Sequence, residues 1–579
     1  MYWDIVEKIV SQRGKQVKKY TFFENVWKVI EDNSPLIIVR APTGCGKTES
    51  VTVPFFHNIL TNSRNWFSLV YALPSRALVA AMKQRLLKSL TSLGVAYATV
   101  TSNYGEPLTL SPFLEGDIAV STYDTLIFAF YGVRRPGYHV LLPLSKIVGS
   151  LVVLDEVQLV QDTFWYSMSI LPAHMANLVR LGAQVVLMSA TIPTVLMDEI
   201  EREVCETAKP VEVVSRDRPL RGRLEVEIKE GILPSNEELD RLVKENILCC
   251  EKLPALIVVN TVEKAVNIYK RLLALKRNGK IDDIEPLLLH SRLSLGERTR
   301  VERLFEEWKE VARLDKAIVV ATQVIEAGLD LNVRYLLTEL SPIDSLIQRL
   351  GRAARWSDGE AVIYLDPDGG KNVYPAILLE RSLQMVKGDG ANLPEAVSNV
   401  ETSQNLVDSV YTRDVVEKLS ESVKTLVMKA KCYIHQFLYK LYSSDTRENF
   451  SELPLLRLGY EMLCLYLSGE CYKRLLELTP LIMETDEVRR SIVRVSCKEV
   501  RAPPHCIVHG GDVLIVVKVV SSWENEDTKM VRLEPMIVKK GENLHELVEK
   551  KDILFLLNPE FYEVYENREL GVVRPWVRV

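Results

Sequence analysis

Between Leu36 and Ala190, short unbroken apolar runs recur, with helical periodicity between them. The runs are Leu36 to Arg40, Phe67 to Leu73, Asp117 to Ser121, Leu151 to Leu154 and Gln184 to Met188. Strands that are hydrophobic throughout are buried on both faces, as in a parallel sheet covered by helices, and Arg76 to Leu90 reads as such a helix. The first domain, residues 1–215, is therefore expected to be α/β. Past the polar, proline-bearing stretch Val214 to Arg223 the pattern restarts with Ala255 to Val259, Ile284 to Leu289, Ala317 to Ala321, Tyr335 to Leu340 and Ala361 to Leu365. A second α/β domain is expected over residues 216–368, closing at the turn that begins with Asp366-Pro-Asp.

From about Gly370 the pattern changes. Val415 to Tyr442 and Leu455 to Leu478 read as amphipathic helices, and Asp512 to Val520 and Met530 to Val538 as strands. Residues 369–579 are expected to form a mixed α+β accessory domain that docks on the first two or on a partner.

Composition sharpens this picture by exclusion. A chain of 579 residues is too long for one core, and its 47% hydrophobic and 26% charged residues match ordinary folded proteins. A net charge of −5 gives no global field for polyanions, so any nucleic-acid contact must rest on a local basic strip. No apolar run reaches the roughly 18 residues of a membrane span, and the N-terminus lacks a signal-peptide pattern, so a cytoplasmic protein is expected. Nine cysteines are scattered without a framework. Cys497, His505, Cys506 and His509 fall close together, but their spacing departs from zinc patterns and no metal site is assigned to them.

The candidate chemistry begins at Ala41-Pro-Thr-Gly-Cys-Gly-Lys-Thr48, a glycine-bearing loop between an apolar run and a helix. Such a loop aims backbone N–H groups at a triphosphate, with Lys47 as a point charge and Thr48 as a hydroxyl for Mg²⁺. Thr43, Gly44, Cys45, Gly46, Lys47, Thr48 and Glu49 are the candidate ATP-binding residues. Asp155-Glu156 places one carboxylate where it can hold Mg²⁺ and another where it can orient or deprotonate water, though two acids at a strand end can also form a solvated turn. Ser189-Ala-Thr191 reads as a link between nucleotide state and lobe closure, or simply as a helix N-cap before Pro193. In Gln348-Arg-Leu-Gly-Arg-Ala-Ala-Arg355, Arg352 and Arg355 are spaced by one helical turn, so both guanidiniums are expected on one face, reaching a γ-phosphate across a cleft. The competing reading is a salt-bridged surface helix.

Taken in order, these motifs resemble those of superfamily 2 helicases and translocases. Leu187-Met-Ser-Ala-Thr-Ile-Pro193, Ala321-Thr-Gln-Val-Ile-Glu-Ala-Gly-Leu-Asp330 and Ser341-Pro-Ile-Asp-Ser-Leu-Ile-Gln-Arg-Leu-Gly-Arg352 resemble the signature helicase of type I CRISPR interference. A weaker likeness to that family's C-terminal domain lies at Leu557-Asn-Pro-Glu-Phe-Tyr562 to Leu570-Gly571. The resemblance implies two tandem RecA-like domains, phosphate and Mg²⁺ binding by Lys47 and Thr48, metal assistance by Asp155 and a general base in Glu156. It further implies that Gln348 positions water, that Arg352 and Arg355 are arginine fingers, and that Gly328 and Asp330 sit by the nucleotide. Ser75, Arg76, Thr122, Thr261 and Thr322 would line the strand groove, since hydroxyls and amides grip phosphates without reading bases.

Three departures from the family pattern stand out. Gln158 replaces the usual histidine, which keeps a hydrogen-bonding side chain but cannot titrate. Tyr20-Thr-Phe-Phe-Glu-Asn25 contains no glutamine of the kind that reads adenine. The phosphate loop falls within the first fifty residues and none of the eight histidines is followed by aspartate, so the fused metal-dependent nuclease is not expected here. The function expected is that of an ATP-dependent single-stranded DNA translocase and helicase, moving 3′ to 5′, with a Cascade-type guide-RNA effector complex and a separate HD nuclease subunit as partners. The alternatives are a general RNA or DNA-repair helicase of the same superfamily and a nucleotide-gated scaffold that does not unwind.

Overall fold

The computed structural model describes residues 2–11, 17–63, 65–103, 114–132, 141–219, 221–310, 316–326, 331–366, 368–441, 456, 460–497, 506–510, 513–525, 528–539, 552–566 and 568–573. The first lobe is built on β1 (Leu36–Arg40), β2 (Leu69–Leu73), β3 (Val100–Asn103), β4 (Ile118–Thr122), β5 (Leu151–Asp155), β6 (Gln184–Ser189) and β7 (Val211–Val214). They pair in the order β3-β4-β2-β5-β6-β1-β7, every pair parallel. Strands β2, β4, β5 and β6 are buried at every position, which is why their sequences are apolar without alternation. The register aligns Arg40 with Ser189 and Asp155 with Met188. Three motif-bearing strand ends thus meet at one edge of the sheet.

The second lobe repeats the design with β8 (Leu224–Glu230), β9 (Ala255–Val258), β10 (Glu285–Leu289), β11 (Ala317–Ala321), β12 (Tyr335–Glu339) and β13 (Gly359–Leu365), in the order β10-β11-β9-β12-β13-β8. All its pairs are parallel too. The expectation of two α/β domains with parallel sheets holds. Strands β3, β7 and β8 carry no long apolar run, and each lies at a sheet edge. In β8 the sequence Leu-Glu-Val-Glu-Ile-Lys-Glu is mostly half-buried or exposed, as an edge strand with a solvated side must be.

The remaining chain binds both lobes together. The Val400–Val410 helix lies between them, and the Lys424–Leu441 helix packs on the first lobe's Tyr166–Arg180 helix. There Phe437 sits 4.6 Å from the Tyr131 ring and 5.7 Å from Phe130, and Asn177 donates to the Ile434 carbonyl at 2.6 Å. Lys431 and His435 both reach Glu203, at 2.6 and 3.0 Å. Their hydrogen bonds, that of His435 first, pull the Glu203 carboxyl down to about 2. One apolar core therefore runs from the first sheet through these helices to the second.

A third sheet uses β14 (Tyr460–Leu465), β15 (Leu481–Glu484), β16 (Ile492–Cys497), β17 (His509–Gly510), β18 (Val513–Asn525), β19 (Thr528–Lys539) and β20 (Ile553–Leu556). Its order is β15-β19-β18-β20-β14-β16, with β17 on β18. This corrects the helix expected over Leu455 to Leu478. Met462, Cys464 and Leu465 are buried as a strand, Gly469 turns the chain at φ 60°, and among the described residues of this stretch only Gly469–Leu476 is helical. A short apolar run fits either conformation until its neighbours are known.

Beyond this sheet, β21 (Tyr562–Tyr565) and β22 (Arg568–Val572) form a hairpin that returns to the second lobe. His290 donates from Nε2 to the Leu570 carbonyl at 2.9 Å, Arg292 reaches the Val573 carbonyl at 3.0 Å and Arg568 pairs with Glu285 at 2.9 Å. Burial lowers His290 to about 3, so it stays neutral in this seam. Among the described residues no helix is long and apolar enough to cross a membrane, and no three metal-ligating side chains cluster.

Candidate nucleotide site between the two lobes

Strand β1 ends at Arg40 and the Lys47–Thr61 helix begins seven residues later, so the phosphate loop must turn sharply. Gly44 and Gly46 do so at φ 95° and 81°, a region closed to most side chains. A Cβ on Gly46 would lie 2.7 Å from the Phe23 ring. The Lys47 ammonium folds back on the loop, 2.9 Å from the Ala41 carbonyl. Burial pushes the Cys45 thiol up to about 12, and the thiol points at the Asp217 carbonyl 3.6 Å away. Cys45 can therefore offer a phosphate only its backbone. Glu49 is held by Arg85 through two contacts of 2.6 and 2.7 Å, so its carboxylate braces the helix. Gly46→Ala combines backbone strain of about 1–3 kcal/mol with a ring clash. Nucleotide affinity measured by isothermal titration is expected to fall about tenfold or more.

The acid pair follows β5. Asp155 is buried; its Oδ1 accepts the Glu156 N–H at 2.9 Å and its Oδ2 accepts the Tyr71 hydroxyl at 2.6 Å. Burial, then the neighbouring Glu156, pushes the Asp155 carboxyl up to about 6. Glu156 sits in the left-handed region at φ 53°, which turns its side chain off the strand line. Gln158 donates to Glu156 Oε2 at 2.5 Å and accepts from the Ser189 hydroxyl, which also receives the Thr191 N–H at 3.0 Å. The residue that departs from the family histidine thus joins the acid pair to the Ser-Ala-Thr motif without titrating. Tyr71 carries no signal in the sequence, because only the pairing of β2 with β5 brings it to Asp155.

In the second lobe the structure corrects one reading. The Ile343–Leu350 helix ends at Gly351, so Arg352 and Arg355 do not share a helical face. They lie on a turn tied down by a bridge between Val333 and Ala353, with Ala354 at φ 52°. Arg352 donates to the Glu326 carbonyl at 2.6 Å, while Arg355 lies 5.4 Å over the Trp356 ring. Arg349, which the motif spacing does not single out, is fully buried and anchors the helix. It reaches Glu326 at 2.7 Å, Tyr374 at 2.8 Å, Asn260 at 3.1 Å and both Thr338 and the Glu339 carbonyl at 3.2 Å. Gly328 and Asp330 lie outside the described residues.

Thr43 and Thr191 of the first lobe and Gln348 of the second line one cavity, with Asn399 and Ser403 along its side. Both amide atoms of Gln348 and the Thr191 hydroxyl are buried there without a hydrogen-bond partner among the described residues. Orphaned polar groups facing a phosphate loop fit a polar, anionic ligand such as a nucleotide triphosphate. The Val400–Val410 helix spans the cleft nearby. Gln404 meets Arg40 at 2.6 Å and the Ile192 carbonyl at 2.8 Å, and Tyr411 donates to Asp344 at 2.6 Å.

The five candidate strand-binding residues stand at or just past the C-terminal ends of β2, β4, β9 and β11. Ser75, Thr122 and Thr261 cap helices, accepting from Leu78, Thr125 and Lys264 at 3.4, 3.3 and 3.3 Å. Arg76 opens the first of those helices, half-buried, and Thr322 is buried at the end of β11. Helix N-termini from both lobes therefore surround these positions, the chemistry suited to a phosphate backbone.

Comparison with known proteins agrees with the two-lobed fold. Residues 24–199 match the DEAD/DEAH box helicase family, and residues 251–358 match the C-terminal region of the CRISPR-associated nuclease/helicase Cas3. The CRISPR-associated helicase Cas3 of Thermoproteus tenax is 30% identical over 412 residues, covering 68% of this chain and 66% of the relative. The crystal structure of T. fusca Cas3 superposes with a TM-score of 0.61 at 19% identity, over 84% of this chain and 65% of that one. A chain of a CRISPR RNA-guided surveillance complex, pre-nicking, gives a TM-score of 0.58 at 19% identity, over 95% of this chain and 69% of that one. The chain spans about half to two thirds of the length of the first curated relatives it matches.

Proposed function

The chain is a superfamily 2 helicase resembling the CRISPR-associated Cas3 helicases, and from that premise we propose that it couples ATP hydrolysis to movement along single-stranded DNA in type I CRISPR interference, from 3′ to 5′. The observation that carries the reading is the cavity in which Thr43, Thr191 and the unpartnered Gln348 amide converge from two lobes. ATP with Mg²⁺ brings the phosphoryl group to be released and the cation that draws in its charge. The chain's own residues hold and orient. The Thr43 to Thr48 loop would wrap the phosphates with backbone N–H groups and the Lys47 charge, and Thr48 and Asp155 would hold the metal. Glu156 takes the proton of the attacking water, Gln348 fixes that water's position, and Arg352 and Arg355 neutralise charge from the second lobe. Gly328 and Asp330 belong to the same site by resemblance.

Ser75, Arg76, Thr122, Thr261 and Thr322 are assigned to the DNA backbone. Because they stand on both lobes, closure around nucleotide would shift one group along the strand relative to the other. The protein works in the cytoplasm, recruited by a guide-RNA effector complex. Strand cleavage is assigned to a nuclease on a separate subunit. ATP hydrolysis measured with single-stranded DNA, with RNA and with no polymer tests the reading. DNA should stimulate it most; stimulation by RNA alone would point to a general RNA helicase.

A further inference from the structure

The two side chains assigned to the metal come from different elements, Thr48 from the first turn of a helix and Asp155 from the end of β5. A third residue holds the second of them. Tyr71, at the middle of β2, is fully buried, and its hydroxyl donates to Asp155 Oδ2 at 2.6 Å. Asp155 Oδ1 is taken by the Glu156 N–H at 2.9 Å, so each carboxylate oxygen has one donor that fixes its direction. The parallel register of β2 with β5 sets Tyr71 against Val153, two residues before Asp155, within reach of the carboxylate. A phenylalanine would fill the same space, so packing alone does not call for the hydroxyl.

We propose that Tyr71 is a positioning residue for the divalent metal, its hydroxyl holding the Asp155 carboxylate in the direction that metal binding needs. This rests on the nucleotide-site reading above. Groups that hydrogen-bond a metal's ligands orient them and tune their basicity, and removing one typically costs about 10- to 100-fold in metal affinity. The hydroxyl's hydrogen-bond partner is the Asp155 carboxylate assigned to the metal rather than the backbone of the phosphate loop, so nucleotide binding without metal should not depend on it.

The test is Tyr71→Phe in the full chain. Binding of a non-hydrolysable ATP analogue is measured by isothermal titration in EDTA and across a Mg²⁺ series, and Mn²⁺ bound to the protein–nucleotide complex is counted by electron paramagnetic resonance. Binding in EDTA should match wild type, which also reports an intact fold. The Mg²⁺ concentration at half-effect should rise about tenfold or more, with Mn²⁺ affinity falling in parallel. Tyr71→Phe with wild-type Mg²⁺ and Mn²⁺ dependence would overturn the proposal, and so would equal losses with and without metal, because that pattern reports packing. Wild type that binds no nucleotide in any condition would instead overturn the nucleotide-site reading itself.

Discussion

Arg352→Ala is expected to bind ATP close to wild-type affinity and to hydrolyse it about a thousandfold more slowly. An arginine that meets the transferring phosphoryl group acts on charge that develops only in the transition state, so its loss falls on kcat and spares binding. Arg352 stands on the turn after the Ile343–Leu350 helix, with one nitrogen held by the Glu326 carbonyl at 2.6 Å. That tether fixes the direction of the planar fork. Arg352→Lys should recover little, because a point charge cannot match bidentate geometry. Steady-state phosphate release at saturating ATP, with nucleotide affinity measured alongside, checks this. Unchanged turnover would make Arg352 only an anchor to Glu326.

The second large effect concerns Arg349. Arg349→Ala is expected to destabilise the second lobe by about 3–5 kcal/mol, the usual consequence of leaving one member of a buried ion pair behind. Neither Arg349 nor Glu326 is solvated, with side chains 0% and 4% exposed. Removing the guanidinium leaves that carboxylate unpaired and takes a donor from Thr338, Asn260, Tyr374 and the Glu339 carbonyl. Arg349→Lys should be nearly as harmful, since three donors on a flexible stem cannot serve five acceptors. Adding Glu326→Gln to Arg349→Met should recover part of the loss, because neither position then carries a buried charge. Denaturant midpoints read these differences. A shift below about 1 kcal/mol for Arg349→Ala would mean that the pair is solvated in solution.

Much of the fold is legible in the sequence. Apolar runs fully buried in a parallel sheet betray themselves, so β1, β4, β5, β6 and β11 fall within a residue of where the hydrophobic pattern puts them. Edge strands do not, because half their side chains face water; β8 reads as a charged segment until its pairing with β13 is known. The motif residues announce themselves by spacing, yet their geometry does not follow from it. Arg352 and Arg355 look like one helical face only while the helix is imagined to continue past Gly351. Tyr71 and Arg349 stay hidden for a related reason. Each matters through partners distant in sequence, Asp155 for one and Glu326 with Asn260 for the other. The helix Val400–Val410 likewise gives no sign in its sequence that Gln404 meets Arg40 and the Ile192 carbonyl beside the cleft.

That helix touches the first lobe through Gln404, and Tyr411 at its end reaches Asp344 of the second. The Val400–Val410 helix and its cap thus contact both lobes beside the candidate nucleotide site.

Strand displacement tests the central claim most directly. A labelled DNA duplex with a 3′ single-stranded overhang is incubated with ATP and either wild type or Lys47→Ala. Wild type should release the labelled strand in an ATP-dependent reaction, and Lys47→Ala should lose displacement and hydrolysis together. Displacement that persists without ATP, or that survives in Lys47→Ala, would contradict a motor driven from the cleft between the two lobes.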